Sequence, residues 1–320
     1  MTILIFSVSF LVSFAGFLIM IPRFKEAGIV GRNRNSLGQE EIAEMGGLVI
    51  VAGFSAGTIL IISLKTFFDL FALASLTSIL AAFSTIMIVS LIGIFDDLIS
   101  IKQGVKAFMP VFAALPLMAL KEGFTEMKVP LIGFVDFGIC YHLILIPLGI
   151  TSAANAVNML AGFNGLEAGM GLVAISSLAI IAYLIGETTA FLLSVIMLGA
   201  LLAALYFNWF PAKVLVGDVG TLTIGAVIAG VVIIGNFEMA GGIIIMPYVI
   251  DFIIKAKNRF PYSFGKYRDG KLYCPEGGPV GLGQLIMKVC GGISERNLVL
   301  VLMGIEAVFG AGAILVYVCS

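Results

Sequence analysis

Long apolar runs dominate the sequence, and they restrict the possible folds more than any other feature. An α-helix needs about 20 apolar residues to cross the hydrocarbon core of a bilayer. Runs of roughly this kind lie at about 2–22, 45–64, 70–95, 106–120, 142–160, 168–185, 188–207, 219–235, 239–257 and 297–318. The run at 106–120 is short enough to be tilted or partly embedded. With 60% hydrophobic and 12% charged residues and a mean hydropathy of +1.14, the chain is predicted to be all-α, a polytopic membrane protein of about ten helices.

Several missing features narrow the class of protein further. The net charge of −1 gives no reason to expect a nucleic-acid partner. The four cysteines lack C-x-x-C spacing, which favours packing residues or free thiols over a disulfide framework. The first run has no basic leader and no A-x-A cleavage site, so we expect a retained helix rather than a signal peptide. The sequence has no P-loop and no H-E-x-x-H motif, which disfavours an ATP-driven pump and a zinc protease.

The positively charged residues are distributed unevenly between the two sides of the predicted bundle. If the loop after the first run faces the cytosol, 15 of the 18 Lys and Arg residues share that side, and only Lys65, Lys121 and Lys128 do not. The positive-inside rule then predicts that both termini are extracytoplasmic. For a single domain, 1–320, the cytosolic loops are expected at about 23–44, 96–105, 161–167, 208–218 and 258–296. On the outer side, extended runs around Gly133 within 128–140 predict a small β-hairpin.

One stretch at the predicted inner face concentrates polar residues between two apolar runs. Its polar and glycine positions are Asn155, Asn158, Gly162, Asn164, Gly165 and Glu167. Asn155 and Asn158 are three residues apart and share one face of a helix. A polar group without a hydrogen-bond partner costs a few kcal/mol in hydrocarbon, so several such residues close together need a structural or functional reason. The stretch therefore indicates either a polar helix-packing seam that ends in a loop or a ligand or metal site at the membrane surface, and we favour the second.

Further acidic residues fall on the same predicted face, at three places in the chain. Asp96 and Asp97 close the third run, and adjacent carboxylates are tolerable where one meets a cation or where both lie at a solvated helix end. Because successive helical residues point about 100° apart, we expect different partners for the two. Lys106 opens the next run and can fold back over them. Asp218 precedes another run, where it suits an N-cap or a site that needs close backbone approach, and Glu44 opens the second run.

Basic residues are concentrated at the end of the ninth apolar run and in the cytosolic loop that follows it. Lys255, Lys257 and Arg259 occupy alternate positions there. Such a cluster suits lipid headgroups, and it also suits an anionic, phosphate-bearing substrate. Acidic and amide oxygens at the same face match Mg²⁺, which prefers a few carboxylates, waters and phosphates. The single histidine, His142, falls on the outer side and is expected to be structural.

Taken together, these motifs are those of a known family. They are Glu44-Met-Gly-Gly, Phe95-Asp-Asp-Leu, Asn155-x-x-Asn158-Met-x-x-Gly162-x-Asn164-Gly-Leu-Glu167, Asn208-Trp-x-x-Pro211 with Val216-Gly-Asp218, and Asn258-Arg-Phe-Pro261. The motifs occur in the order found in the polyprenyl-phosphate N-acetylhexosamine-1-phosphate transferases. The chain therefore resembles this family, most closely its archaeal and eukaryotic branch. That branch moves GlcNAc-1-phosphate from UDP-GlcNAc to dolichyl phosphate, the first step of N-glycan assembly. The family's ten helices and inner-face active site agree with the predicted topology.

The resemblance implies a set of site residues. Asn158 and Asp218 would bind Mg²⁺, with Mn²⁺ as a substitute. Asp96 and Asp97 would position or deprotonate the lipid phosphate, and Lys106 would hold phosphate charge. The residues implied for substrate binding are Glu44, Asn155, Gly162, Asn164, Glu167, Lys257 and Arg259. Among them, Asn164 and Glu167 would serve the uridine end of the donor, and Lys257 and Arg259 its sugar and diphosphate.

The sequence departs from the family in two places. The bacterial branches carry a His-rich motif in the last inner loop, and this loop has no histidine, which disfavours their substrates. Leu215 stands three residues before Asp218, where relatives often carry an aromatic residue that stacks on uracil, so base stacking stays unassigned.

Several alternatives stay open at this point. The same reaction with another UDP-HexNAc, or with undecaprenyl phosphate, fits the same residues. A transporter or flippase of an anionic lipid or nucleotide sugar is the rival class, but transporters place their sites near the midplane between repeats, and no repeat is evident. We expect the plasma membrane of a prokaryote, an archaeon in the first instance, or the ER membrane of a eukaryote. The oligomeric state is not determined, and a homodimer remains compatible with the sequence.

Overall fold

A computed structural model describes residues 1–32, 35, 41–129 and 132–318. In chain order, the α-helices of this part are α1 (Thr2–Glu26), α2 (Gly47–Phe68), α3 (Leu76–Ile99), α4 (Gln103–Ala113), α5 (Leu115–Ala119), α6 (Ile146–Met159), α7 (Leu166–Ile185), α8 (Thr188–Asn208), α9 (Gly217–Gly235), α10 (Glu238–Ile244), α11 (Met246–Lys257), α12 (Leu282–Val289) and α13 (Glu295–Val318). The strands are β1 (Val30–Arg32), β2 (Glu41–Ala43), β3 (Glu126–Val129), β4 (Gly133–Asp136), β5 (Lys266–Arg268) and β6 (Lys271–Tyr273). The structure is mostly helical, which confirms the predicted all-α class.

Most of the long helices can cross a membrane. Within the described residues, eight are long and apolar enough: α1, α2, α3, α6 with the π-helical turn Tyr141–Leu145 before it, α7, α8, α9 and α13. α10 and α11 form a ninth span if they are counted as one helix bent by 55°. The run predicted at 106–120 forms the short helices α4 and α5 instead. Helix α4 continues through Pro110, and the break at Ala114 comes just before Pro116, which lacks the N–H that helix continuation requires. The predicted count of ten is therefore approximate.

The strands form three small antiparallel ribbons, β1–β2, β3–β4 and β5–β6. The predicted outer hairpin is present as β3–β4, with Glu126 opposite Asp136 and Val129 opposite Gly133. His142 lies just after this hairpin, buried edge-on against Tyr141, with their ring centroids 5.3 Å apart. Other residues used in the sequence predictions lie outside the described part, namely Arg34, residues 36–40 of the first predicted loop, Pro130 and Leu131 of the hairpin, and Cys319.

Helix α9 is the centre of the bundle, and every residue from Val219 to Gly235 is buried. Glycines let its neighbours approach closely. A Cβ atom added to Gly47 on α2 would lie 2.1 Å from the backbone nitrogen of Gly220, and one added to Gly93 on α3 would lie 2.4 Å from the Cα of Val219. Small residues at helix interfaces permit such backbone contact in membranes. As a result, α2 and α3 are held directly against the first turn of α9.

These contacts bring several helix ends together. The C-termini of α3, α6 and α11 and the N-terminus of α9 meet at one end of the bundle, which we call the polar end. The chain reaches this end again through α13, because Glu295 at its start bonds to the backbone of Asn164. The β3–β4 hairpin and Tyr141 lie at the opposite end. The polar segments that are far apart in the sequence are thus neighbours in the fold.

Candidate functional site

A buried lysine joins two carboxylates at the polar end. The Nζ atom of Lys106 lies 2.5 Å from Oδ2 of Asp96 and also contacts Oδ2 of Asp218. The side chain of Lys106 is 5% exposed and that of Asp96 is 6% exposed. Oδ1 of Asp96 accepts the backbone N–H of Ile101 at 2.8 Å, which closes the turn between α3 and α4. Lys106 therefore does fold back over the end of α3, and we call Asp96, Lys106 and Asp218 the charged cluster.

Asp97 has partners of its own. Its Oδ1 accepts the backbone N–H of Asp218 at 2.8 Å, and its Oδ2 accepts that of Val219 at 3.0 Å. These donors belong to the first turn of α9, where N–H groups have no partner within the helix. Gly217 begins this helix with φ = +73°, and a Cβ atom there would lie 2.7 Å from Oδ2 of Asp97. Asp97 thus caps α9 from a neighbouring helix, and Asp218 lies in the first turn rather than at the N-cap position, which Val216 occupies.

The two asparagines of α6 serve different neighbours. Nδ2 of Asn158 donates to Oδ1 of Asp218 at 2.7 Å and to Oγ1 of Thr221 at 2.9 Å. Nδ2 of Asn155 donates instead to the carbonyl oxygens of Ala107 at 3.1 Å and of Thr151 at 2.8 Å. Asn158 therefore borders the charged cluster. Asn155 holds α6 against α4 one residue beyond Lys106, and its amide nitrogen points at backbone rather than into the cluster.

Glu44 adds a further carboxylate near the cluster. Its segment pairs with the chain before α9, because Leu215 N–H donates to Ala43 O at 2.7 Å and Gly46 N–H donates to Leu215 O at 2.9 Å. Burial raises the pKa of Glu44, and the negative charge of Asp218 raises it further. With Asp96, Asp97 and Asp218, this part of the polar end carries more negative charge than Lys106 can neutralise. Such an excess favours a bound cation.

The donor set suits a metal that takes only a few protein ligands. Within the described ranges, no group of three or more His, Cys, Asp or Glu side chains is arranged to hold a metal ion by itself. The Asp218 carboxylate and the Asn158 amide, in direct contact, offer two oxygen-bearing groups. Mg²⁺ commonly binds one or two protein groups and completes its shell with water and substrate phosphates. The residues present therefore fit Mg²⁺ in this mode.

The loop between α6 and α7 is shaped by hydrogen bonds from side chains to its backbone. Oε1 of Glu167 accepts the N–H of Gly162 at 2.7 Å, and Oε1 of Glu295 accepts the N–H of Asn164 at 2.9 Å. Asn208 fixes the next residue, since its Oδ1 accepts the N–H of Gly165 at 3.1 Å. The side chains of Glu167, Glu295 and Asn208 thus fix the path of the loop, and Asn164 takes part through its backbone N–H. Glu295 was not among the predicted site residues.

Of the basic residues of α11 and its C-terminal end, only one points into the fold. Lys255 is buried; its Nζ lies 2.8 Å from Oδ2 of Asp251 and donates to the carbonyl oxygen of Met159. Lys257 and Arg259 are exposed, and within the described part of the chain neither forms an ion pair. They lie at the polar end without being drawn into the charged cluster.

An apolar cavity of about 290 Å³ lies between α6, α9 and the bent pair α10–α11. Its wall includes Ala153 and Ala156 on α6, Ile228 on α9, and Ile245 and Val249 at the bend. It extends toward the opposite end of the bundle, where Tyr141, Met127 and Glu238 line it. The hydroxyl of Tyr141 donates to Oε1 of Glu238 there. The cavity therefore runs through the apolar part of the bundle and, at Ala156, lies within one helical turn of the last residue of α6.

Fold and site together define a polytopic membrane protein with an acidic, lysine-containing site at its polar end and an apolar cavity between its helices. Comparison with known proteins gives the family. The model of glycosyl transferase family 4 matches residues 79–236. A Sulfolobus acidocaldarius protein named putative UDP-N-acetylglucosamine–dolichyl-phosphate N-acetylglucosaminephosphotransferase is 36% identical over 310 residues, 96% of this chain and 93% of its own.

More distant relatives extend the comparison. A Dictyostelium discoideum protein named UDP-N-acetylglucosamine–dolichyl-phosphate N-acetylglucosaminephosphotransferase is 29% identical over 280 residues, 72% of this chain and 67% of its own. A Halalkalibacterium halodurans phospho-N-acetylmuramoyl-pentapeptide-transferase is 35% identical over 150 residues, 43% of this chain and 46% of its own. The chain therefore belongs to glycosyl transferase family 4, in agreement with the resemblance seen in its motifs.

Proposed function

We propose that the protein transfers GlcNAc-1-phosphate from UDP-GlcNAc to a polyprenyl phosphate of the dolichyl type and releases UMP. This reaction would start the assembly of a lipid-linked glycan for N-glycosylation. Similarity along almost the whole chain to two archaeal relatives named for this reaction supports the proposal.

The observation that carries the proposal is that α6 borders both halves of the site. Ala156 lines the apolar cavity, and Asn158, two residues later and on the other side of the helix, contacts Asp218 in the charged cluster. A lipid phosphate has matching halves, a long apolar chain and an anionic head. The cavity would hold part of the chain, and the anionic head would lie against Lys106, with a bound cation offsetting the excess negative charge of the cluster.

The reaction joins the lipid to the sugar phosphate without a strong base. An oxygen of the lipid phosphate attacks the β-phosphorus of UDP-GlcNAc, and the bond from that phosphorus to the bridging oxygen breaks, so UMP leaves with that oxygen. A phosphate monoester has a second pKa of about 6, so the attacking oxygen is already ionised near neutral pH. The protein's contribution to the rate would therefore be to align the reactants and to neutralise their charge. Lys106 would hold the attacking phosphate, with Asp96 fixing the direction of its ammonium group.

Asp97 would act as a positioning residue. Both of its carboxylate oxygens accept backbone N–H groups of α9, so neither is free to take a proton from the substrate without losing that cap. Its role would be to hold Asp218 in place.

Asp218 and Asn158 would hold Mg²⁺, or Mn²⁺ in its place. When bound, the ion would neutralise charge on the diphosphate of the donor. Asp218 then has two tasks in this chain: one oxygen faces Asn158 and the other faces Lys106. The acidic surroundings from Glu44 and Asp96 would favour the ion.

The donor would bind on the loop side of the cluster. Glu167 would act mainly by shaping the loop that meets the uridine end, since it accepts the N–H of Gly162. Asn164 would lie on that loop, with its backbone N–H held by Glu295. The exposed Lys257 and Arg259 would reach the sugar and diphosphate, as the resemblance implies. Glu44 would close the site from the side of β2.

We place the polar end in the cytosol and both termini outside, on the basis of the Lys and Arg distribution. Cys290 is exposed at the polar end, and the hairpin lies at the opposite end. In versions with one cysteine each, an impermeant maleimide added to intact cells should label Gly133→Cys and leave Cys290 unlabelled. Labelling of both from the same side would contradict the topology.

The transfer itself is tested by blocking the cavity. Gly149 and Gly242 line it, and a Cβ atom added to either meets nothing within 4 Å, so Gly149→Leu and Gly242→Leu should fill the cavity without disturbing packing. Purified protein is given UDP-[¹⁴C]GlcNAc, Mg²⁺ and dolichyl phosphate, and labelled lipid is counted. Both variants should raise the KM for the lipid phosphate about tenfold or more and leave the KM for UDP-GlcNAc unchanged.

The matched control is Gly304→Leu, because this glycine on α13 is exposed, is equally open and does not line the cavity. It should behave like the unmodified protein. Unchanged lipid KM in both cavity variants would reject the cavity as the chain site. An alternative substrate would be indicated if labelled lipid forms with UDP-GalNAc, or with undecaprenyl phosphate in preference to dolichyl phosphate. A transporter would be indicated if vesicles take up intact UDP-GlcNAc and no lipid product forms.

A further inference from the structure

A second buried ion pair lies at the polar end, outside the charged cluster. Asp251 is 0% exposed and Lys255 is 7% exposed, and the two lie one turn apart on α11. Oδ2 of Asp251 is 2.8 Å from Nζ of Lys255. Such a pair is weak evidence for a stabilising role, because desolvation of both charges offsets their attraction and an apolar pair of similar volume is often as stable. Its contacts indicate another purpose.

The pair connects three segments of the polar end. Nζ of Lys255 donates to the carbonyl oxygen of Met159, the last residue of α6. The second carboxylate oxygen of Asp251, Oδ1, accepts the N–H of Leu282 at 2.7 Å, at the start of α12. Lys255 thus binds a carbonyl that has no partner within its helix, and a cation is favoured at that position.

The anchored residue adjoins the proposed metal ligand. Met159 follows Asn158, whose amide contacts Asp218 and Thr221. Beyond Met159 the chain leaves the helix at Leu160, with φ = −89° and ψ = +54°. Within the described residues, the hydrogen bond from Lys255 is the side-chain contact that holds the carbonyl of this last helical residue. Lys255 therefore contacts the residue next to Asn158, at the end of the same helix.

We propose that Lys255 is a positioning residue for the transfer reaction. With Asp251 as its counter-ion, it fixes the last turn of α6 and so holds Asn158 against Asp218. The inference deepens the proposed function and rests on it for its kinetic consequence. The anchoring itself can be measured without turnover.

The test removes the cation without leaving a buried charge. The double variant Lys255→Met, Asp251→Asn is neutral at both positions, and the amide oxygen introduced at position 251 can still accept the Leu282 N–H. Displacement of a ligand by a fraction of an ångström to 1 Å costs up to about 100-fold in rate, so kcat should fall about 10- to 100-fold. Lys288→Met, which removes an exposed lysine of α12, is the matched control and should not change kcat.

A comparison of two backgrounds separates positioning from general destabilisation. If Lys255 acts through Asn158, the double variant should lower kcat in the unmodified chain but by less than about twofold in an Asn158→Ala background. The same fold-loss in both backgrounds, or no loss in the unmodified chain, would overturn the proposal.

Amide hydrogen exchange gives the second readout. In the double variant, peptides covering 156–165 should exchange faster, while peptides of α12 keep their protection. Unchanged exchange in 156–165 would also overturn the proposal. If the unmodified protein forms no lipid product, the proposed function fails. If Asn158→Ala leaves no measurable turnover, the two backgrounds cannot be compared. In both cases the exchange measurement alone decides whether Lys255 anchors α6.

Discussion

The carboxylate of Asp97 on α3 accepts the backbone N–H of Asp218 on α9, at 2.8 Å. Its other oxygen accepts the next N–H, that of Val219, at 3.0 Å. Asp96, the preceding residue, faces Lys106 instead. Two adjacent aspartates that look equivalent in the sequence thus have separate tasks, one to cap a helix and one to pair with a lysine.

This division predicts different behaviour for the two Asn variants. Asp97→Asn keeps one acceptor and loses the other, so it should lower the free energy of unfolding by about 0.5–2 kcal/mol, the usual value of a cap. Its kcat should fall by less than about 10³-fold, with a pH profile of unchanged shape. Asp96→Asn leaves this cap intact, so its effects on stability and kcat should come from the weakened contact with Lys106. A loss above about 10³-fold at every pH in Asp97→Asn, with unfolding unchanged, would identify Asp97 as a base and contradict the assignment.

Lys106 should be required for stability as well as for activity. Lys106→Met leaves Asp96 and Asp218 side by side without their shared cation, and breaking a buried pair in this way costs about 3–5 kcal/mol. Asp96→Asn added to Lys106→Met should restore much of the thermal stability but no transfer activity. Lys102→Met removes an exposed lysine from the preceding turn and should change neither measurement. Equal melting temperatures for Lys106→Met and the unmodified protein would show that the cluster is not buried as described.

Glu44 should make stability depend on pH. Burial and the charge of Asp218 raise its pKa above 4.5, so the folded state binds this proton more tightly than the unfolded chain. Stability contributed by the protonated form is therefore lost as pH rises from about 4.5 through the raised pKa. Glu44→Gln should raise the melting temperature relative to the unmodified protein, and the gain should be larger at pH 8 than at pH 5. Glu41→Gln, an exposed change on the same segment, is the control, and a gain for Glu44→Gln that is independent of pH would contradict the account.

Two asparagines on one helix provide a matched test of the metal site. Activity should require Mg²⁺ or Mn²⁺ and disappear in EDTA, and Asp218→Ala should be inactive. Asn158→Ala should raise the Mg²⁺ concentration needed for half-maximal rate about tenfold or more, since the loss of a ligand weakens the site. Asn155→Ala, whose amide nitrogen bonds to backbone carbonyls, should leave that concentration unchanged. Full activity in EDTA, or equal Mg²⁺ requirements for the two variants, would argue against the assignment.

The sequence predicts the helices well because a membrane span is a local property, about 20 apolar residues in a row. It is less informative about 106–120, where the helix breaks just before Pro116 in a run that is apolar enough but too short. The contact between Lys106 and Asp218 joins residues 112 positions apart, and only the family resemblance indicated that they belong to one site.

Other features of the site needed the fold. The cap by Asp97 depends on how α3 packs against α9, which no local pattern reveals. Glu295 was missed because an acidic residue in the first turn of a helix is common for electrostatic reasons alone. Its bond to the backbone of Asn164 spans 131 positions. Lys255 was grouped with Lys257 and Arg259 from its spacing, whereas burial separates it from both.

The central claim, transfer of a sugar phosphate rather than of a sugar or an intact nucleotide, is tested most directly by a doubly labelled donor. UDP-GlcNAc carrying ³²P in the β-phosphate and ¹⁴C in the sugar is incubated with the purified protein, Mg²⁺ and dolichyl phosphate, and the lipid and aqueous products are separated. The account predicts that both labels enter the lipid in a 1:1 ratio as unlabelled UMP is released, because the bond that breaks lies between the β-phosphorus and the oxygen retained by UMP. Sugar label in the lipid without ³²P would show simple glycosyl transfer with release of UDP, and no label in the lipid would show no transfer to this acceptor; either result would contradict the account.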